Sequence, residues 1–218
     1  VDKDKIDIVF KIKESEQFYV ERINILGNNI THENVIRNSL EIDEGDPFNE
    51  LLNAKSINNL KSLNIFSFVK GEVKEGSNLN TKILDIEVKE KPTGEISLGA
   101  GYGSEGGTIG FAVTENNFLG KNIKLSTDIR TTDDSIRGSF SVVNPNFNYS
   151  NKALITSLQS TTIDKMSDSG YETKKTGFSF GTRYEQYENT FFSPKITTEI
   201  EDLTTNANAS DSLKKQTG

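Results

Sequence analysis

Gly101-Tyr102-Gly103-Ser104-Glu105-Gly106 has the G-x-G-x-x-G spacing of a turn that cradles a dinucleotide pyrophosphate. That chemistry needs a helix directly after the glycines, because the free N–H groups of its first turn hold the phosphate. Here Thr108 to Thr114 alternate apolar and small residues with period two, so a strand follows. A kinase glycine loop does lie between strands, but the chain has neither H-R-D nor D-F-G. The glycines therefore read as a tight hairpin and a thin, easily bent strand. His32 is the only histidine and there is no cysteine, which excludes a His-based triad and a multi-histidine metal site within this chain. Asp43-Glu44-Gly45-Asp46 is acidic but lacks the EF-hand order, and reads as a solvated loop or a contact for a basic partner. The Asn-x-Ser/Thr triplets at Asn29, Asn148 and Asn208 are chance matches in a chain this rich in those residues. With no acid pair in evidence either, the expectation is a protein that is not an enzyme and needs no cofactor or metal.

Composition narrows the partners. The 218 residues carry a net charge of -7, with pI near 4.9, and phosphate binding needs clustered Lys and Arg, so nucleic acid is excluded as a partner. Mean hydropathy is -0.53, and no apolar run reaches the roughly 18 residues that a membrane helix requires. Strands can still span a bilayer, since each needs only about 10 residues and alternate positions may be polar.

Two kinds of element position these residues. Residues 1–14 alternate Ile6, Ile8, Phe10 and Ile12 against polar neighbours, a lone strand that reads as the end of a preceding domain. From 15 to 91 the order is strand (18–26), helix, helix, strand (IFSFVKGEV), strand (80–90), a small α+β domain. Thr31 is the expected N-cap of the first helix. The second is expected from about Phe48 to Asn64, with Leu51, Ala54, Ile57, Leu60 and Leu63 as its apolar stripe.

From Pro92 to the end the helical period vanishes. In the first strand Ile96, Leu98, Ala100 and Tyr102 share one parity, while Glu95, Ser97, Gly99, Gly101 and Gly103 share the other. Ile109, Phe111 and Val113 repeat the pattern in the next, as do later strands up to Ile196, Thr198 and Ile200. Strands of about ten residues with aromatic ends (Tyr102, Phe118, Phe147, Tyr149, Tyr184, Tyr187) suit a transmembrane barrel with interfacial girdles. Seven strands are expected across 92–218, with a polar, turn-like tail from Asp202. Seven cannot close a bacterial barrel, and open edges in lipid cost several kcal/mol for each unsatisfied group, so a cut-out piece of a longer barrel is expected.

The pieces FYVERINILGNN, NNLKSLNIFSFV and ILDIEVKEK resemble a POTRA domain. Gly101-Tyr-Gly103, Asn117-Phe-Leu-Gly120 and Asn144-Pro-Asn-Phe147, in that order after a POTRA, are similar to the opening barrel strands of the BamA family, the outer-membrane barrel-assembly subunits. The resemblance implies the membrane-proximal POTRA in the periplasm and the first strands of an outer-membrane barrel of about sixteen. It further implies that the first barrel strand, Gly94 to Gly103, pairs through its backbone with strands of unfolded outer-membrane proteins at a lateral gate. The alternative for its glycines is that they only fit a barrel corner. By the same resemblance Glu44, with Asp43 beside it, contacts the helical-repeat lipoprotein of the machine, and the POTRA edge with Phe66, Phe68, Lys70 and Val73 pairs with substrate segments. Outer-membrane lipid is the remaining partner. Rival readings are a translocation-and-assembly or two-partner-secretion transporter, and a soluble periplasmic binding module.

Overall fold

A computed structural model describes residues 16–103 and 106–217; the strand expected at 1–14, and Ser104 and Glu105 of the glycine motif, lie outside the described residues. The first unit is a three-stranded sheet in the order β1-β3-β2, with β1 over Tyr19–Leu26, β2 over Phe66–Glu75 and β3 over Thr81–Glu90. β1 runs parallel to β3 and β2 antiparallel to it, so the last strand of the unit is the central one. Two helices, α1 (Glu33–Arg37) and α2 (Glu50–Ser62), complete the core. Val20, Ile23, Ile36, Leu60, Ile65, Leu84 and Ile86 are each at most 3% exposed and form it together. Burial of these side chains, about 1.5–3 kcal/mol each, is what holds so short a sheet together.

Two local expectations are corrected. The N-cap of α1 is His32, which makes no side-chain cap, and Thr31 spends its hydroxyl elsewhere. α2 begins after Asn49, whose side chain accepts from the N–H groups of Leu51 (2.9 Å) and Leu52 (3.3 Å), so Phe48 precedes the helix. Leu51, in its first turn, is 80% exposed instead of in the stripe. Ser56 is buried in its place, donating to the Leu52 carbonyl and accepting from the N–H of Glu41.

Three residues, Lys91 to Thr93, lead from β3 into an antiparallel sheet of eight strands: β4 (Gly94–Gly103), β5 (Gly106–Phe118), β6 (Ile123–Thr132), β7 (Ser135–Asn144), β8 (Ala153–Lys165), β9 (Tyr171–Tyr187), β10 (Thr190–Phe192) and β11 (Lys195–Thr205). β10 and β11 both pair with β9, along successive stretches of it, so the eight strands fill seven positions across the sheet. Ser193-Pro194 divides them, since proline has no N–H for the ladder. The segment expected to turn at Asp202 continues as strand to Thr205, opposite Tyr171 to Lys174, and a short helix α3 (Asp211–Lys214) follows.

The register carries the period-two pattern across the sheet. Leu98 faces Phe111, which faces Ile129; Phe140 faces Leu158, which faces Phe178. One face is thus a continuous, exposed apolar surface. The other presents Ser, Thr, Gly and charged residues, with rows such as Ser126, Ser141, Ser157 and Ser179. That is the two-faced wall of a membrane barrel, apolar outward and polar inward. No helix among the described residues is long and apolar enough to cross a membrane.

Candidate functional site: two strand edges and the joint between them

β4 ends the large sheet. All ten of its residues pair with β5 on one side, and among the described residues no strand pairs with the other. Its whole length is exposed, with Leu98 at 79% and Tyr102 at 90%. An unpaired edge is a row of N–H and C=O groups ready to accept another strand. Among the described residues nothing crowds the glycines of its polar parity: a Cβ at Gly99, Gly101 or Gly103 would meet nothing within 4 Å. Among the described residues they do make the strand thin and pliable.

The small sheet has two edges of unequal availability. β1 is covered on its outer side by the loop after α1: Val20 donates to the Asp46 carbonyl, Gly45 to that of Val20, and Phe48 to that of Phe18. Farther along, side chains replace the strand. The Ile23 N–H donates to the Glu44 carboxylate at 2.9 Å, and Arg37 donates to the Ile23 carbonyl at 3.2 Å. Arg37 also pairs with Glu33 at 2.7 Å and lies 3.6 Å from Glu44. These carboxylates hold the guanidinium pKa above its ordinary value, with the Glu33 hydrogen bond the largest cause. Glu44 therefore has a structural duty, while Asp43 beside it has an exposed side chain. Among the described residues β2 carries no such cover. Phe66 is buried, Phe68 and Lys70 are exposed, and Val73 is 39% exposed along this free edge.

A third feature links the two sheets. The carboxylate of Glu90, at the end of β3, accepts from the N–H groups of Asn29, Ile30 and Thr31 at 2.6–3.1 Å. Partial burial pushes its pKa up, but the hydrogen bonds from Thr31, Ile30 and Asn29 outweigh it and hold the carboxyl below its usual range. The loop so fixed meets the turn between β5 and β6. The buried Asn117 amide donates to the Thr31 hydroxyl at 2.9 Å, and the His32 N–H donates to the Gly120 carbonyl at 2.8 Å. Gly120 has φ +67°, and a Cβ there would overlap the Ile30 carbonyl oxygen, so only glycine allows this approach. Around the linker, Asn116 donates to the Thr93 carbonyl and Thr93 to the Glu115 carboxylate. Asn34 reaches the Tyr149 hydroxyl at 3.3 Å.

The aromatic residues expected as a girdle divide by end. Phe118, Phe147, Tyr149, Tyr184 and Tyr187 lie at the end near the small domain, and Tyr102 at the other. No cluster of His, Cys, Asp and Glu suited to a metal occurs among the described residues. Sequence reasoning missed the joint. Its one visible signal is Asn117-Phe-Leu-Gly120, and nothing in that motif names Thr31 or Glu90 as partners.

A POTRA unit leading without a break into the wall of a barrel defines the class: this is a POTRA-plus-barrel protein. Residues 18–91 match the POTRA family model, described as a surface antigen variable number repeat. Its homologues are BamA outer membrane protein assembly factors. That of Neorickettsia risticii is 31% identical over 58% of this chain and 17% of its own length. That of Buchnera aphidicola is 32% identical over 70% of this chain and 25% of its own. The chain thus spans a quarter or less of these curated relatives. The crystal structure of BamA from Haemophilus ducreyi lacking POTRA domains 1–3 superposes with a TM-score of 0.75. Identity is 22%, over 86% of this chain and 36% of that one. CdiB from Acinetobacter baumannii shares the fold, with a TM-score of 0.64 at 14% identity, over 90% of this chain and 40% of that one.

Proposed function

We propose that this chain forms the membrane-proximal POTRA and first barrel strands of an outer-membrane assembly factor that folds and inserts other barrel proteins. The observation that carries the reading is that β4, the strand at which the barrel wall begins, has no strand on its outer side among the described residues and is exposed over all ten of its own. An incoming strand adds to that edge by β-augmentation, so backbone groups supply the binding and substrate sequences can differ widely. No side chain performs chemistry, and the protein is not an enzyme. The barrel wall sits in the outer membrane, against its lipid, with the POTRA in the periplasm. There the β2 edge (Phe66, Phe68, Lys70, Val73) accepts extended substrate segments, and the 43–46 loop, through Glu44 and Asp43, receives a helical-repeat lipoprotein partner.

Alternate N–H groups of an antiparallel strand point away from its partner. Of the neighbours Ser97→Pro and Leu98→Pro in the full-length protein, one therefore removes an outward donor and the other a β5 bond. The first should leave a folded, heat-modifiable barrel yet cut substrate assembly in liposomes at least tenfold. Normal assembly by both folded variants would overturn the proposal. A second reading is a two-partner-secretion transporter built on the same fold, in which blocking β4 leaves export of a cognate partner as the affected activity.

A further inference from the structure

The polar face of the large sheet holds a charge arrangement that strand capture does not use. One row across it runs through Gly99 and Gly110, then Arg130 and Arg137, then Thr161 and Lys175. Arg130 on β6 and Arg137 on β7 are direct cross-strand partners, and both are exposed. Residues so placed have Cβ atoms about 4.5–5.5 Å apart, and like charges there destabilise the pair. Neither arginine forms an ion pair among the described residues, although the sheet does neutralise the third cation of the row: Lys175 meets Glu201 at 3.1 Å. The nearest carboxylate position on this face of β6, Asp128, sits one row away opposite Ser139. Beside the arginines the wall is bare. A Cβ at Gly99 would touch nothing and one at Gly110 only the Ile129 carbonyl at 4.0 Å, so a chain segment has room to lie against it.

We propose that Arg130 and Arg137 clamp an acidic side chain, Asp or Glu, carried by a segment of the same polypeptide that folds into the barrel interior. Two guanidinium forks at cross-strand spacing match the two oxygens of one carboxylate. A resident counter-ion offsets the repulsion at all times, whereas a passing substrate would leave the pair unneutralised between turnovers. The inference rests on the barrel part of the proposed function, in which this face is the lumen.

In the full-length protein, a benzophenone amino acid at Thr161, beside Arg137, should cross-link within the chain to a peptide containing Asp or Glu. The same probe at Thr156, on the apolar face, should not. Arg130→Gln with Arg137→Gln should cut the yield at least fivefold while heat-modifiability shows a folded barrel. Should that variant not fold, amidation of the captured acid to Asn or Gln must give the same loss. A cross-link to a substrate or another protein, none from Thr161, or one indifferent to these changes would overturn the clamp. The readout needs no assembly activity, so loss of the insertase reading alone would leave it standing.

Discussion

Thr31, Glu90, Asn117 and Gly120 show how four modest residues fix one domain against another. Asn117→Ala removes a buried hydrogen bond to the Thr31 hydroxyl, a cost of about 0.5–1.5 kcal/mol. Gly120→Val adds both left-handed backbone strain and a clash with Ile30. Both should broaden the POTRA-to-barrel distance distribution in spin-label measurements while the barrel stays folded; unchanged distributions would deny the joint its role. Glu90 adds a pH dependence. Its folded pKa is lowered, so the stability it contributes is complete above its unfolded value, about 4.3, and is lost as pH falls through the lower folded value. The joint should therefore loosen in acid, and Glu90→Gln should flatten that transition in the same measurement. None of this was legible beforehand. Thr31 and Asn117 are 86 residues apart, and a threonine before a short helix satisfies the local rule for an N-cap equally well.

At the scale of elements, legibility followed period and length. Alternation in β4 to β9 is visible within ten residues, because each strand has one apolar and one polar face and pairing preserves parity across the sheet. The α2 pattern was legible in its middle, at Ile57 and Leu60, and misleading at its start. There Leu51 keeps the helical spacing but lies outside the core cluster. The tail failed for the converse reason. Asp202 to Thr205 look like turn residues, yet they extend β11 because β9 is long enough to pair with them. Edges also differ for reasons outside the strand concerned. β1 is capped by Arg37 and Glu44 from elsewhere in the chain, so among the described residues the POTRA edge without such a cap is β2. Substitution of Arg37 by Ala should expose the Ile23 carbonyl and speed amide exchange along β1 by about tenfold or more, with β2 unchanged; equal exchange at both edges would contradict the cap.

At the scale of the whole molecule, central strand β3 passes through three residues into β4, so the POTRA sheet and the barrel's first edge are mechanically continuous. That continuity gives the proposed mechanism its economy: a segment held at β2 lies beside β3, which leads directly into the edge where its strand is to pair. The central claim of the proposed function is strand addition at β4. The direct measurement is a disulfide scan in the full-length protein, with single cysteines from Glu95 to Tyr102 against cysteines in the last strand of a stalled substrate barrel. The account predicts strong cross-links along one diagonal of the matrix, antiparallel or parallel in register, each cysteine having one preferred partner. Cross-links scattered without register, or none at β4 while the substrate still assembles, would contradict it.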